Sequence, residues 1–154
     1  MMTPWLDTSS NRRVYVLHAQ GSSDWPATPS WDGECFALFV ATDRDLDIGS
    51  ISARALEQGL AAVAAWGAGC EDVETAFDEA IVGDGSKVET IEDVILTTSH
   101  AEESLREALE FFLDAFVPAT SYEKRCRAWV VFAIGSVAQD IEKLLVERGA
   151  ERSA

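Results

Sequence analysis

The chain has 154 residues, 47% hydrophobic and 25% charged, with a formal net charge of −15. That length and composition fit one ordinary globular domain and exclude a disordered chain. The charge disfavours nucleic-acid backbone and anionic membranes, which carry the same sign, and favours a basic partner.

Residues 1–11 are polar and read as a flexible N-terminal tail ahead of a single α/β domain over 12–150. No basic start followed by an apolar run marks a signal peptide. No apolar stretch approaches the ~20 residues that span a bilayer. Residues 13–19 predict a short strand centred on Val14, Tyr15 and Val16. The Gly, Ser and Pro of 21–33 predict a loop, which also holds Trp25 and Trp31. The run 35–42 is apolar throughout, as in a strand buried on both faces of a parallel sheet. A helix follows over 50–58, with Ser50 as N-cap and Gly59 as its stop.

Residues 60–66 are short and apolar and read as a strand despite their alanines. Segment 70–82 reads as a helix, because Val73, Ala76, Phe77 and Ala80 share one face. A turn over 83–87 leads to a strand over 94–98. Ser99-His100-Ala101-Glu102 fits a capping box and predicts a helix running to about Val117, ended by Pro118. Its inward stripe is Leu105, Ala108, Leu109, Phe112 and Phe116. After a loop over 119–125, the run 128–134 predicts a buried strand and 137–148 a closing helix. Strands alternating with helices predict a three-layer α/β sandwich, with a mostly parallel central sheet and helices on both faces. The first strand joins the second without a helix and is the candidate antiparallel edge.

The acid is unevenly placed. Residues 70–114 hold fourteen Asp and Glu against Lys87 and Arg106 alone. Glu71, Asp72 and Glu74 fall at the start of one predicted helix, and Glu102 and Glu103 at the start of the next. Helix N-termini are where an α/β fold takes phosphate. Acids occupy those positions here, Gly67-Ala68-Gly69 lacks a third glycine, and no P-loop lysine follows. No nucleotide and no other cofactor is expected.

Cys70 and His100 each follow a predicted strand and form the candidate thiol–imidazole pair of a catalytic site. The alternative is a structural role for both, with His100 exposed in the first turn of its helix. Asp43, Asp45 and Asp47 form a D-x-D-x-D run without the glycine and distal glutamate of a calcium loop, so it reads as a solvated loop or a weak cation site. Three widely spaced cysteines and two distant histidines give no zinc signature, so no metal site is assigned, and reduced thiols in a cytoplasm are expected. Trp25 and Trp31 either present an interface or fold back over the sheet. Lys124, Arg125 and Arg127 are the basic cluster, which either meets the acidic edge of a second copy, giving a homodimer, or balances local charge.

The segments Trp66-Gly67-x-x-Cys70-Glu71, Thr97-Thr98-x-His100 and Cys126-x-x-Trp129 resemble an uncharacterised bacterial domain family of unknown function, over roughly residues 36–135. In that family a Trp often stands where this chain has Ser99. The resemblance implies no activity. The leading expectation is an acidic interaction module, an adaptor or inhibitor- or immunity-like protein. It would bind a basic partner protein through Asp43, Asp45, Asp47, Glu71, Asp72, Glu102, Glu103, Trp25 and Trp31. The alternative is a small enzyme using Cys70 and His100 at the C-terminal edge of the sheet.

Overall fold

The structure, a computed structural model, describes residues 2–86 and 90–153. A seven-stranded sheet has the order β5-β4-β3-β6-β2-β1-β7. Its strands are β1 (Met2–Asp7), β2 (Arg12–Ala19), β3 (Cys35–Thr42), β4 (Leu60–Gly67), β5 (Leu96–His100), β6 (Cys126–Ile134) and β7 (Glu151–Arg152). The helices are α1 (Gly49–Glu57), α2 (Cys70–Val82), α3 (Leu105–Glu110), α4 (Thr120–Glu123) and α5 (Val137–Glu147). The five strands from β5 to β2 pair in parallel, and β1 and β7 add antiparallel pairs at one side. No helix among the described residues is long and apolar enough to cross a membrane.

The apolar runs are explained by burial on both faces. Every residue of β3 is buried. Phe36, Leu38 and Val40 face one core, with Ile51 and Ala55 of α1 and Val73 and Phe77 of α2. Ala37, Phe39 and Ala41 face the other, with Ala108 and Leu109 of α3 and Ile141 and Leu145 of α5. Helices therefore cover both faces, α1 and α2 on one and α3 and α5 on the other, giving the three layers.

The crossover from β2 to β3 passes over β6 without a long helix. Trp25 and Trp31 supply the apolar cover that a helix would give, and both are buried. Trp25 packs edge-on against Phe132 of β6 at 5.3 Å and lies 5.8 Å from Trp31. Its Nε1 donates to Gln58 Oε1 at 2.8 Å, and Gln58 Nε2 donates back to the Pro26 carbonyl at 2.9 Å. Of the two sequence readings for these tryptophans, the structure has the one in which they fold over the sheet.

Three sequence expectations need correction. Residues 1–11 do not stay outside the sheet: Met2–Asp7 is β1, which turns back as a hairpin onto β2 and places Trp5 and Asp7 inside. Consequently β2 is no edge; it is parallel to β6, and the antiparallel side is formed by β1 and β7. The third concerns Ser99 and His100. They do not start a helix but end β5, opposite Ala65 and Trp66 of β4. The pattern S-x-x-E occurs again at Ser104–Glu107, and that copy is the capping box: Ser104 Oγ accepts from Glu107 N at 3.1 Å, and Glu107 Oε1 accepts from Ser104 N at 3.5 Å. Either cap is worth only about 1 kcal/mol, so pairing with β4 decides between them.

Smaller differences follow. Helix α3 continues as one π turn over Phe111–Ala115, where Phe116 N donates to the Phe111 carbonyl at 2.9 Å. Helix α4 lies within the expected 119–125 loop. Lys87, the end of the expected 83–87 turn, lies outside the described residues.

Candidate functional site

In open α/β sheets ligands gather beyond the C-terminal strand ends, where neighbouring strands send their chains to opposite faces. Here that point lies between β3 and β6: α1 follows β3 onto one face, and α5 follows β6 onto the other. Asp43 occupies it. Its Oδ2 accepts from Ser136 N at 3.2 Å and Ser136 Oγ at 3.3 Å, while Arg44 Nε donates to Oδ1 at 2.8 Å. Arg44 and the Ser136 amide hold the Asp43 carboxyl down at about 2. Gly135 has φ +84°, and a Cβ there would collide with this carboxylate. The chain's own anion thus fills the crevice where a ligand anion would sit.

The rest of the D-x-D-x-D run diverges. Asp45 packs against Gly69, where a Cβ would lie 2.7 Å from its Oδ1. Asp47 Oδ1 accepts from Gly49 N at 3.2 Å, at the start of α1. The three carboxylates serve three separate segments, and no cluster of metal-ligating side chains forms among the described residues.

The expected dyad does not form. Cys70, the first residue of α2, is buried in the α1/α2 core. His100 ends β5 with its ring against Phe111 of the opposite layer, centroids 4.7 Å apart. Alternation along β5 explains the separation: Thr97 and Ser99 bond Asp78 and Glu74 of α2, whereas Thr98 and His100 point the other way. Both imidazole nitrogens are occupied. Nε2 lies 3.0 Å from Thr98 Oγ1 and Nδ1 lies 3.0 Å from Glu103 Oε2. Glu103 also accepts Trp66 Nε1 at its carbonyl, at 2.8 Å. Sequence reasoning missed this Thr98–His100–Glu103 chain because it read His100 as helical; the T-x-H spacing, two residues on one strand face, was the available signal. The chain ties the turn after β5 to the sheet.

All three cysteines are free and buried. Burial pushes the Cys35 thiol up, and burial with the neighbouring Cys35 pushes Cys126 up to about 12. The Cys126 thiol therefore stays protonated at neutral pH. A disulfide-exchange reagent is therefore expected to find no fast thiol in the native protein and all three after denaturation. Labelling of Cys70 faster than free cysteine would return it to the list of nucleophiles.

The acidic residues do come together. Strands β3, β4 and β5 are parallel, so the segments after them emerge at one edge. That edge carries Asp43, Asp45 and Asp47, then Glu71 and Asp72 in the first turn of α2, then Glu102 and Glu103 in the turn after β5. All are exposed, and no ion pair reaches Asp45, Glu71, Asp72 or Glu102 among the described residues. Glu102 and Glu103 precede α3 rather than starting it, so they were placed at the right edge for the wrong local reason. Lys124, Arg125 and Arg127 lie at the opposite edge, where β6 begins; Arg125 is held by Glu34 at 3.2 Å.

No curated protein matches the chain. The sequence model of a family described as a domain of unknown function (DUF7684) matches residues 14–147. That span takes in β2 through α5, and with it the acidic edge and the Thr98–His100–Glu103 chain, so the protein belongs to this family of unknown function.

Proposed function

We propose that the chain is an interaction module that offers the C-terminal edge of its sheet to a basic partner protein, in a cytoplasm, as an adaptor or an inhibitor-like protein does. The observation that carries this reading is the set of exposed carboxylates that have no ion pair among the described residues, Asp45, Glu71, Asp72 and Glu102, on one parallel edge where Arg44 is spent on Asp43. Helix dipole and backbone amides favour the charged form at the start of α2. Unpaired charge on one edge raises the encounter rate with a cationic surface and contributes less to the final affinity.

The test is capture of partners from the native host with wild type and with a Glu71→Gln/Asp72→Asn/Glu102→Gln variant. A partner should be retained by wild type at low salt. Its association rate should fall about tenfold or more with the variant or at high salt, since steering collapses with ionic strength. The variant should melt as wild type does. Equal capture by both proteins, or no partner at low salt, overturns the reading.

A further inference from the structure

At the end of the sheet opposite the acidic edge, where β2 and β6 begin, lies a cavity of about 680 Å³ walled by Asn11, Arg12, Arg13, Asp32, Arg127 and Trp129. That volume falls within the range of about 300–1,000 Å³ typical of small-molecule sites. Parallel pairing assembles it. Arg13 stands opposite Ala128, which brings Arg12 and Arg13 beside Arg127. The register of β3 with β6 steps from Cys35↔Cys126 to Phe36↔Ala128, so Arg127 is the extra residue of a bulge. Bulges re-aim side chains at strand ends.

The guanidiniums are differently held. Arg12 lies over the Trp129 ring at 4.2 Å and donates Nη1 to the Phe112 carbonyl at 2.8 Å. It is fixed in place, and among the described residues no other hydrogen bond uses its five donors. Arg127 has no ion pair among the described residues. Arg13 meets Asp32 at 3.4 Å in an exposed, weak pair. Three guanidiniums and one carboxylate line the cavity, in a chain whose net charge is −15, and Asp114 and Asp7 act on the Arg12 charge from behind it. A second observation is independent of charge. Trp129 is 7% exposed, and its Nε1–H has no hydrogen-bond partner among the described residues. Its Nε1 is itself enclosed, so the indole forms part of the cavity wall under Arg12 and reports on whatever binds beside it.

We propose that this cleft binds a small organic dianion, with Arg12 and Arg127 as the forks that take its oxyanion and the Trp129 indole as the wall beside them. Guanidinium suits both carboxylate and phosphate oxygens, bidentately. A phosphate monoester and a dicarboxylate share this chemistry. The ligand pole of the sheet is thus reversed: Asp43 fills the usual crevice, and the cavity opens at the strand starts.

The test is calorimetric titration of the full chain with glycerol phosphate and with succinate at low salt, alongside the indole N–H spectrum, in which Trp129 is identified by Trp129→Phe. Saturable single-site binding of either probe, with a shift of the Trp129 indole resonance, is expected. Arg127→Ala, an exposed position, should keep the wild-type melting temperature and weaken that Kd about tenfold or more, the scale of one charge-assisted hydrogen bond. Binding of glycerol phosphate alone identifies an organic phosphate, and binding of succinate alone a dicarboxylate. Binding of neither probe overturns the proposal. So does binding that Arg127→Ala leaves unchanged or that leaves the Trp129 indole unshifted. Salt-sensitive self-association that Arg127→Ala abolishes, without probe binding, overturns it in favour of an interface between copies.

Discussion

Replacing Asp7 by Asn is expected to destabilise the fold by about 3 kcal/mol, at the lower end of the cost of breaking a buried ion pair. The Asp7 side chain is fully buried. Arg148 donates Nε to its Oδ1 at 2.9 Å and Nη2 to its Oδ2 at 2.8 Å, and the Ser10 amide and hydroxyl complete its shell. Arg148 also holds Asp114 at 2.7 Å. One cation thus joins the β1–β2 hairpin, the end of α3's π turn and the end of α5. Asn keeps the shape but turns an amide N–H toward the guanidinium or leaves one of its donors unpaired. Asp114 still neutralises Arg148, which keeps the loss near the lower end of the range. For a chain of this size the melting temperature should fall by roughly 6–12 °C. A shift under about 2 °C in a thermal melt would mean that the carboxylate is not enclosed.

The pH dependence has a definite sign. Burial pushes the Asp7 carboxyl up, but hydrogen bonds from Arg148 and Ser10 and the Arg148 charge outweigh it, and the net shift is downward. A depressed carboxyl stabilises the folded state above its unfolded value of ~3.9, and that contribution is lost as pH falls through the folded value. The gap in stability between wild type and Asp7→Asn should therefore be constant near neutrality and narrow below about pH 4. A gap that stays constant down to pH 3 would contradict the assignment.

Trp25→Ala is expected to cost about 3–5 kcal/mol, as for other buried large-to-small aromatic changes. The indole is 2% exposed and contacts Trp31, Phe36 and Phe132. Its removal also frees Gln58 and so unhooks Pro26 from the end of α1. The loop over 20–34 is the lid of one core, so its protease sensitivity should rise as the melting temperature falls by on the order of 10 °C. Glu71, Asp72 and Glu102 follow β4 and β5, at least three strand positions from β2, where this lid begins, so capture of a basic partner at temperatures where the variant is folded should persist. Loss of partner binding with an unchanged melt would instead make Trp25 an interface residue.

Much of the fold was legible because its signals are local or nearly so. An eight-residue run such as 35–42 with no polar alternation can be satisfied only by burial on both faces, which already implies a parallel sheet with helices on each side. Segment 70–82 carries its period on one face, and Gly69 and Gly83 both have positive φ at its ends, so its boundaries are written into the residues themselves. The start of the chain was not legible. Met-Thr-Pro-Trp-Leu-Asp has little strand character of its own, and it becomes β1 because a hairpin over 8–11 lays it against β2 while Arg148, distant in sequence, neutralises Asp7. The duplicated S-x-x-E pattern shows the same limit. Two equal local caps were available, and two additional rungs against β4 chose between them.

The site divides along the same line. Parallel strands and the segments that follow them are readable in order, so the gathering of Asp43, Glu71 and Glu102 at one edge followed from the sequence. Strand order is not readable. It decided that β6 lies beside both β2 and β3, and so that Asp43 meets Ser136 and Arg12 meets Trp129. The face on which a side chain lies has a period of two, so extending β5 to His100 placed that ring against Phe111 and away from Cys70. The sequence by itself determined the layered α/β class, the bounds of the buried strands and the acidic edge, because hydrophobic period and charge are carried by neighbouring residues. Only the tertiary structure decided the edge strands, the fate of the Cys70–His100 pair and the cationic cleft. Each of those depends on which distant strands exchange hydrogen bonds, and that choice is made by the free energy of the whole sheet.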